Sequence, residues 1–154
     1  MQPSEKARYK ILVVDDDPEV NKALRLMLQF DGHEVQTANS GKSALAIFEA
    51  SQFDLIITDY NMPGIMGDEL AALMKQKRPS QPIILTSGNF PAEFTDGNLV
   101  SGVDYLLNKP VTMSEMRETL LWVLGPYAES RQIGLGAPGP HDEPPPARPI
   151  QPSL

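Results

Sequence analysis

Cysteine is absent from the 154 residues of this chain. Its absence excludes disulfides, thiolate metal sites and cysteine nucleophiles. Long apolar runs are also missing, since no stretch approaches the roughly 18 residues that a membrane-spanning helix requires. Residues 1–10 lack the apolar centre of a signal peptide. We therefore expect a cytoplasmic protein that does not enter a membrane.

Clustered positive charge is equally scarce. The formal net charge is −7, with 13 Lys and Arg against 20 Asp and Glu. Nucleic-acid binding is driven by clustered Lys and Arg that contact phosphates, so we do not expect a nucleic acid as partner. The length and a hydrophobic content of 41% fit one globular domain with a substantial core.

The end of the chain differs in composition from the rest. Seven of the 15 prolines fall within residues 128–154, where few apolar side chains are available for a core. We interpret residues 128–154 as a disordered tail or linker, residues 1–9 as an N-terminal extension and residues 10–127 as the folded domain. A G-x-G-x-x-G match at residues 134–139 lies in this proline-rich context, which cannot form the strand and helix that a dinucleotide-binding loop requires.

Strand and helix signals alternate five times between these ends. Short apolar runs predict strands at residues 10–14, 33–38, 53–58, 83–86 and 105–107. Helices are predicted after each strand, with starts near Pro18, Ser40, Gly67, Pro91 and Thr112, and the fourth, over residues 91–100, is the weakest. This alternation predicts an α/β fold with a five-stranded, doubly wound parallel sheet in a (βα)5 three-layer sandwich.

Three side chains are suited to cap predicted helices. Asp17 precedes Pro18, and Pro is favoured in the first turn of a helix. Ser40 precedes the second helix, and Thr112 with Glu115 forms a capping box before the last one.

Polar and charged side chains follow four of the predicted strands. They are Asp15, Asp16, Asp17, Asp59, Thr86, Ser87 and Lys109. In open α/β sheets the ligand crevice lies beyond the carboxyl ends of the strands. Two carboxylates about 4 Å apart repel by about 4 kcal/mol at an effective dielectric of 20, so such a cluster needs a cation. Oxygen ligands favour Mg²⁺, and the lysine adds a fixed positive charge.

These motifs together resemble those of a known family. They are "VVDDD" at residues 13–17, "TDYNMPG" at residues 58–64, "PIILTSG" at residues 82–88 and "NKP" at residues 108–110. In this order, each at a strand end, they resemble the receiver domain of two-component response regulators over roughly residues 10–124. The resemblance implies a flavodoxin-like fold.

The resemblance also implies a chemistry. Asp59 matches the family's phosphorylated aspartate, and Mg²⁺ is the implied cofactor. The implied donor of the phosphoryl group is a phosphohistidine of a histidine kinase or histidine phosphotransfer protein. The metal ligands would be Asp15, Asp16, Asp59 and the backbone carbonyl of Asn61. Lys109 matches the family's lysine, with a cis peptide bond to Pro110. Asp59 would be consumed in the transfer, so we do not expect a turnover enzyme.

Two hydroxyls compete for the family's switch position. Thr86 and Ser87 both end the fourth strand, and Ser87 fits better because the small residue Gly88 follows it. In the family this hydroxyl moves toward the phosphoryl group. Many receivers also place an aromatic residue three positions before the lysine, where this chain has Leu106 with Tyr105 beside it. The resemblance further implies a homodimer through the fourth helix, fifth strand and fifth helix.

Simpler interpretations remain for several of these residues. Asp17 could serve only as a helix cap, Asn61 could belong to an ordinary turn, and Lys109 could be a surface lysine. Met62 and the other methionines are most simply packing residues. At the level of the whole domain, the alternative function is a receiver-like interaction or dimerisation module that is not phosphorylated.

Overall fold

The computed structural model describes residues 7–95, 100 and 102–125, and five strands alternate with five helices there. The strands are β1 (Lys10–Val14), β2 (Glu34–Ala38), β3 (Leu55–Asp59), β4 (Ile83–Ser87) and β5 (Tyr105–Asn108). The helices are α1 (Pro18–Phe30), α2 (Gly41–Ala50), α3 (Gly67–Lys77), α4 (Ala92–Thr95) and α5 (Met113–Leu124). The predicted tail at residues 128–154, with its glycine motif, lies outside the described residues.

All five strands form one parallel sheet in the order β2-β1-β3-β4-β5. The predicted doubly wound, flavodoxin-like α/β fold is therefore confirmed. β1 and β3 are neighbours in the middle of the sheet, where Val14 pairs with Thr58. As a result, Asp15, directly after β1, and Asp59, at the end of β3, lie side by side. Among the described residues, no helix is long and apolar enough to cross a membrane.

The sheet separates two hydrophobic cores, because successive residues of a strand point to opposite faces. On one face, Ile11 and Val13 of β1 belong to the core that contains residues of α1 and α5. On the other face, Leu12 and Val14 belong to the core that contains residues of α2 and α3. Burial on both faces explains why the central strands are continuous apolar runs instead of alternating patterns.

The three predicted helix caps are confirmed. The side chains of Asp17, Ser40 and Thr112 accept hydrogen bonds from backbone N–H groups in the first turns of α1, α2 and α5 at 2.9, 3.1 and 3.1 Å. These bonds satisfy donors that have no partner within the helix. The local sequence thus determines where the helices that border the sheet edge begin.

Four strands differ from the prediction at their ends, and two of them, β4 and β5, extend one residue further, to Ser87 and Asn108. β2 begins at Glu34 instead of residue 33, because the N–H of His33 donates to the Leu28 carbonyl at the end of α1, at 3.2 Å. β3 covers Leu55–Asp59 instead of residues 53–58, so Asp59 is its last residue. For the fourth predicted helix, the structure has α4 at Ala92–Thr95, and residues 96–99 lie outside the described part.

Candidate functional site

The ends of β1 and β3 bring three carboxylates together. One oxygen from each of Asp15, Asp16 and Asp59 lies within 4.8 Å of the others. Asp15 and Asp59 are buried, with 1% and 6% of their surface exposed, whereas Asp16 is exposed to solvent. Several oxygen donors at one open edge are what Mg²⁺ binds in proteins. By donor chemistry, the three residues fit a divalent cation.

Lys109 reaches into this carboxylate cluster from the end of β5. Its Nζ lies 2.7 Å from Asp15 Oδ2 and 2.9 Å from Asp59 Oδ1. The backbone N–H of Lys109 donates to the carbonyl of Ser87 at 2.9 Å, and its peptide bond to Pro110 is cis, as predicted. Lys109 is therefore not a freely solvated surface lysine. It joins both buried carboxylates.

Burial and charge change the acidity of two of these groups. Burial raises the pKa of Asp59, the hydrogen bond from Lys109 opposes the rise, and repulsion from Asp15 adds to it. Burial lowers the pKa of Lys109, but its hydrogen bonds and attraction to Asp15 and Asp59 outweigh this, so the pKa lies above its ordinary value. The lysine therefore stays charged, and a perturbed carboxylate at an open edge is typical of functional sites.

Asp17 does not take part in the carboxylate cluster. Its side chain caps α1, and its backbone N–H donates to Asp15 Oδ1 at 2.9 Å. The three consecutive aspartates thus have separate surroundings. Asp15 is buried against the lysine, Asp16 is exposed beside it, and Asp17 begins the helix.

The two candidate hydroxyls have different partners. Thr86 Oγ1 donates to the Thr58 carbonyl on the neighbouring strand at 3.4 Å. Ser87 Oγ accepts a hydrogen bond from the N–H of Asn89 at 3.1 Å, in the loop beyond the strand. Both residues are 1% exposed. The hydroxyl of Ser87 is therefore the one linked to the loop between β4 and α4.

The loop after β3 is held at both ends by backbone hydrogen bonds. The N–H of Tyr60 donates to the backbone carbonyl of Thr86 at 2.8 Å, and the N–H of Gly67 donates to the backbone carbonyl of Tyr60 at 2.9 Å. Between them, the side chain of Asn61 is exposed and that of Met62 is buried in the core of the α2 and α3 face. Met62 is a packing residue, as predicted, and the metal-binding role of the Asn61 carbonyl stays a prediction.

Three aromatic rings beside the site were not singled out from the sequence. The ring of Tyr60, directly after Asp59, lies 5.1 Å from the ring of Phe94 in an edge-to-face contact and 6.5 Å from that of Phe90. The rings of Phe90 and Phe94 are 6.3 Å apart. The only sequence signal is that these aromatic residues follow the ends of β3 and β4. Together they connect the loop after β3 to α4.

The comparison with protein families agrees with this geometry. The family model described as "Response regulator receiver domain" matches residues 11–121 of this chain. The sensor histidine kinase RcsC of Escherichia coli K12 is 36% identical over 110 residues, which cover 71% of this chain and 12% of that protein. The transcriptional regulatory protein TcrA of Mycobacterium tuberculosis is 30% identical over 107 residues, which cover 70% of this chain and 42% of that protein. The chain thus matches less than half the length of these two relatives.

Solved structures resemble the whole described fold. The chemotaxis protein CheY4 of Vibrio cholerae has a TM-score of 0.71 at 32% identity, and the match covers 77% of this chain and 100% of that one. The response regulator protein TrrA of Thermotoga maritima, in complex with Mg²⁺ and BeF, has a TM-score of 0.68 at 35% identity. The match covers 75% of this chain and 98% of that one.

The family match covers the five strands and the acidic edge that they form. The buried carboxylates of Asp15 and Asp59, with Asp16 beside them, fit a phosphoacceptor site. This chain therefore belongs to the response regulator receiver domain family, the phosphoacceptor domains of two-component signal transduction.

Proposed function

We propose that Asp59 is the residue that accepts the phosphoryl group, from a phosphohistidine of a histidine kinase or histidine phosphotransfer protein. One observation carries the proposal: the carboxylate of Asp59 lies both in the acidic cluster and 2.9 Å from the ammonium of Lys109. An oxygen of Asp59 attacks the phosphorus, and the bond from phosphorus to the histidine nitrogen breaks with its electron pair left on the imidazole. The product is an aspartyl phosphate.

The other residues of the site serve this transfer by charge and position. Lys109 offsets negative charge on the phosphoryl oxygens, which is most of what catalysis of phosphoryl transfer requires. Asp15, Asp16, Asp59 and the backbone carbonyl of Asn61 would hold Mg²⁺. When bound, this ion would supply further positive charge to the phosphoryl oxygens. The domain thereby catalyses its own phosphorylation, but Asp59 is consumed each time and there is no turnover.

Ser87 is the residue that we propose to report the phosphoryl group to the rest of the domain. Its hydroxyl accepts from the N–H of Asn89, so a move toward a phosphoryl oxygen would release that N–H. The loop between β4 and α4 would then change its path, and a local charge would become a change of surface.

Further parts of the proposal concern the chain as a whole. We propose that residues 10–127 form the receiver unit and residues 128–154 a tail or linker. We also propose a cytoplasmic location and a homodimer through the surface of α4, β5 and α5. The chain matches only part of the sensor kinase and the transcriptional regulator, and the kinase or phosphotransfer partner that we propose is taken from the family.

Labelling with acetyl phosphate and Mg²⁺ tests the proposal. The unsubstituted chain should gain an acid-labile, hydroxylamine-sensitive phosphate, and Asp59→Asn should gain none. Asp54→Asn is the matched control, since Asp54 is an exposed aspartate whose carboxylate accepts from Lys10 near the start of β1. Retained labelling of Asp59→Asn would place the phosphate elsewhere. If beryllofluoride with Mg²⁺ left the NMR signals of Ser87 and Lys109 unchanged, the alternative of a non-phosphorylated interaction module would replace this one.

A further inference from the structure

Asn21 is a polar residue on a buried face of α1. It is 7% exposed, and it precedes Leu24 and Leu28, which face the core shared with α5, by one and two helical turns. This spacing places all three residues on the same side of the helix. A polar side chain is therefore kept where the helix otherwise presents apolar residues to the sheet.

The amide of Asn21 joins the ends of two strands. Its Nδ2 donates to the carbonyl of Asp15 at 2.7 Å and to that of Ala38 at 3.0 Å. The N–H of Asp15 donates to the same Ala38 carbonyl at 3.1 Å. Asn21 thus links Asp15, directly after β1, to Ala38, the last residue of β2, through hydrogen bonds to both carbonyls.

The hydrogen bonds of Asn21 hold the backbone next to Asp15, whose carboxylate contacts Lys109 in the acidic cluster. The two carboxylate oxygens of Asp15 accept from the N–H of Asp17 at 2.9 Å and from Lys109 Nζ at 2.7 Å. The carbonyl of Asp15 accepts from Asn21. The backbone of Asp15 is therefore held from the helix side while its carboxylate faces the lysine.

The same amide carries a cost. Asn21 Oδ1 is buried and has no hydrogen-bond partner in the described part of the chain. A buried acceptor without a partner opposes folding, and leucine, which has the same branched arrangement of side-chain heavy atoms, has no such acceptor. Asparagine, unlike leucine, can donate two hydrogen bonds, and both acceptors, the carbonyls of Asp15 and Ala38, lie beside the acidic site.

We propose that Asn21 is a positioning residue for the Mg²⁺ site. It holds the backbone at Asp15 so that the carboxylates of Asp15, Asp16 and Asp59 converge on one cation. The inference rests on the proposed function, since it assumes that this cluster binds Mg²⁺. Groups that hold metal ligands in place typically contribute about 10–100-fold to metal affinity.

The test is the Mg²⁺ affinity of the full chain with Asn21→Leu, measured by NMR titration. We expect affinity to fall about 10-fold. The melting temperature should fall, because the carbonyl of Asp15 loses its side-chain donor, although the variant also loses a buried unpaired oxygen. Leu24→Ala is the matched control on the same helix: it should lower the melting temperature and leave Mg²⁺ affinity unchanged. Acetyl phosphate labelling of Asn21→Leu should approach the rate of the unsubstituted chain at saturating Mg²⁺.

Each outcome separates this inference from the proposed function. If the unsubstituted chain does not bind Mg²⁺, the proposed metal site fails. If that chain binds and Asn21→Leu binds equally well, the metal site stands and the positioning role is wrong. An equal loss of affinity in Leu24→Ala would also overturn the role, because the loss would then follow helix stability. Should Asn21→Leu fail to fold, Asn21→Ser replaces it, with weakened affinity as the supporting result and unchanged affinity as the contrary one.

Discussion

Gly67 lies so close to Asp59 that a Cβ on the glycine would be 2.1 Å from the aspartate's carbonyl oxygen. The next nearest atom, Leu85 Cδ1, would be 2.8 Å away. Hydrogen is therefore the only side chain that fits at the first residue of α3, directly behind the proposed phosphoacceptor.

We expect Gly67→Ala to displace the backbone of Asp59. Overpacking of this kind costs about 1–3 kcal/mol, so urea unfolding should show a loss of that size. The rate of labelling by acetyl phosphate should also fall. Gly88→Ala is the steric control, because within the described residues no atom other than those of its chain neighbours lies within 4 Å of a Cβ at that position. Its stability should stay near that of the unsubstituted chain. Equal stability of the two variants would mean that α3 shifts without cost.

The neighbouring aspartates Asp16 and Asp17 should differ in their effect on Mg²⁺ binding. Asp16 contributes an oxygen to the acidic cluster, whereas Asp17 Oδ1 accepts from the N–H of Glu19 as the cap of α1. Asn is as good a cap as Asp, so Asp17→Asn should preserve both stability and Mg²⁺ affinity. Asp16→Asn should weaken Mg²⁺ binding clearly in the same titration. Equal losses would show that the metal ligands are assigned to the wrong pair.

Removal of the lysine should destabilise the domain when no divalent cation is present. Lys109→Met leaves the buried carboxylates of Asp15 and Asp59 without their cation. Breaking a fully buried pair costs 3–5 kcal/mol, and because the Lys109 side chain is 23% exposed we expect about 1–3 kcal/mol. The measurement is urea unfolding at pH 7 with a chelator. Lys77→Met, which breaks an exposed pair with Glu49, is the control and should cost much less stability than Lys109→Met.

A second variant checks the cause of that loss. Addition of Asp59→Asn to Lys109→Met removes one of the two facing negative charges, so the double variant should recover part of the stability. A double variant as unstable as the single one would assign the loss to packing of the lysine's aliphatic chain.

His33 should make stability depend on pH. Its Nδ1 accepts from the N–H of Tyr9 at 3.1 Å, and the two rings stack with centroids 5.5 Å apart. Burial lowers the pKa of His33 below the ordinary 6.5, while attraction to Asp31 opposes this. The unfolded chain therefore binds the proton more strongly. The contribution to stability is full above pH 6.5 and is lost as the pH falls toward the folded-state pKa.

Urea unfolding at several pH values between 7.5 and 5 measures this loss. We expect His33→Gln to flatten the curve over that range. Asp31 and Arg117 face the same pocket, and their ion pair stays intact in the variant. An unchanged slope in His33→Gln would assign the pH dependence to carboxylates instead.

The phosphorylated state should be read through Ser87 and the loop at residues 88–95, with no aromatic switch on β5. Leu106 occupies the position three residues before Lys109, and it pairs with Leu85 of β4. A leucine buries less area than an aromatic ring and has no hydroxyl to satisfy. Leu106→Ala should therefore leave the phosphorylation-dependent affinity for a partner nearly unchanged, whereas Ser87→Ala should reduce it.

The spectra of the aromatic rings give a second measurement of the same prediction. Beryllofluoride with Mg²⁺ should shift the NMR signals of Phe90 and Phe94, which contact Tyr60 beside the site. Tyr105 is partly buried against the core of the α1 and α5 face. A clear change in its burial between the two states would instead show that an aromatic switch operates one residue earlier.

The sequence predicted the fold and the acidic edge because both depend on local patterns. Apolar runs that end in Asp15, Asp59 and Lys109 are visible in the sequence, and parallel pairing then brings their ends together. Asn21 was missed because its role depends on which carbonyls lie beside α1. The only trace in the sequence is a polar residue at helical spacing from Leu24. Sequence periodicity reports burial, but not the partner of a buried amide.

The position of β5 at the end of the domain bears on folding during synthesis. β1, β2 and β3 are complete once Asp59 has been added to the chain, whereas Lys109 directly follows the last strand. A domain generally folds as a unit. A growing chain that has not reached residue 109 therefore has no ammonium to offset the charges of Asp15 and Asp59, and the acidic edge is completed only with the last strand.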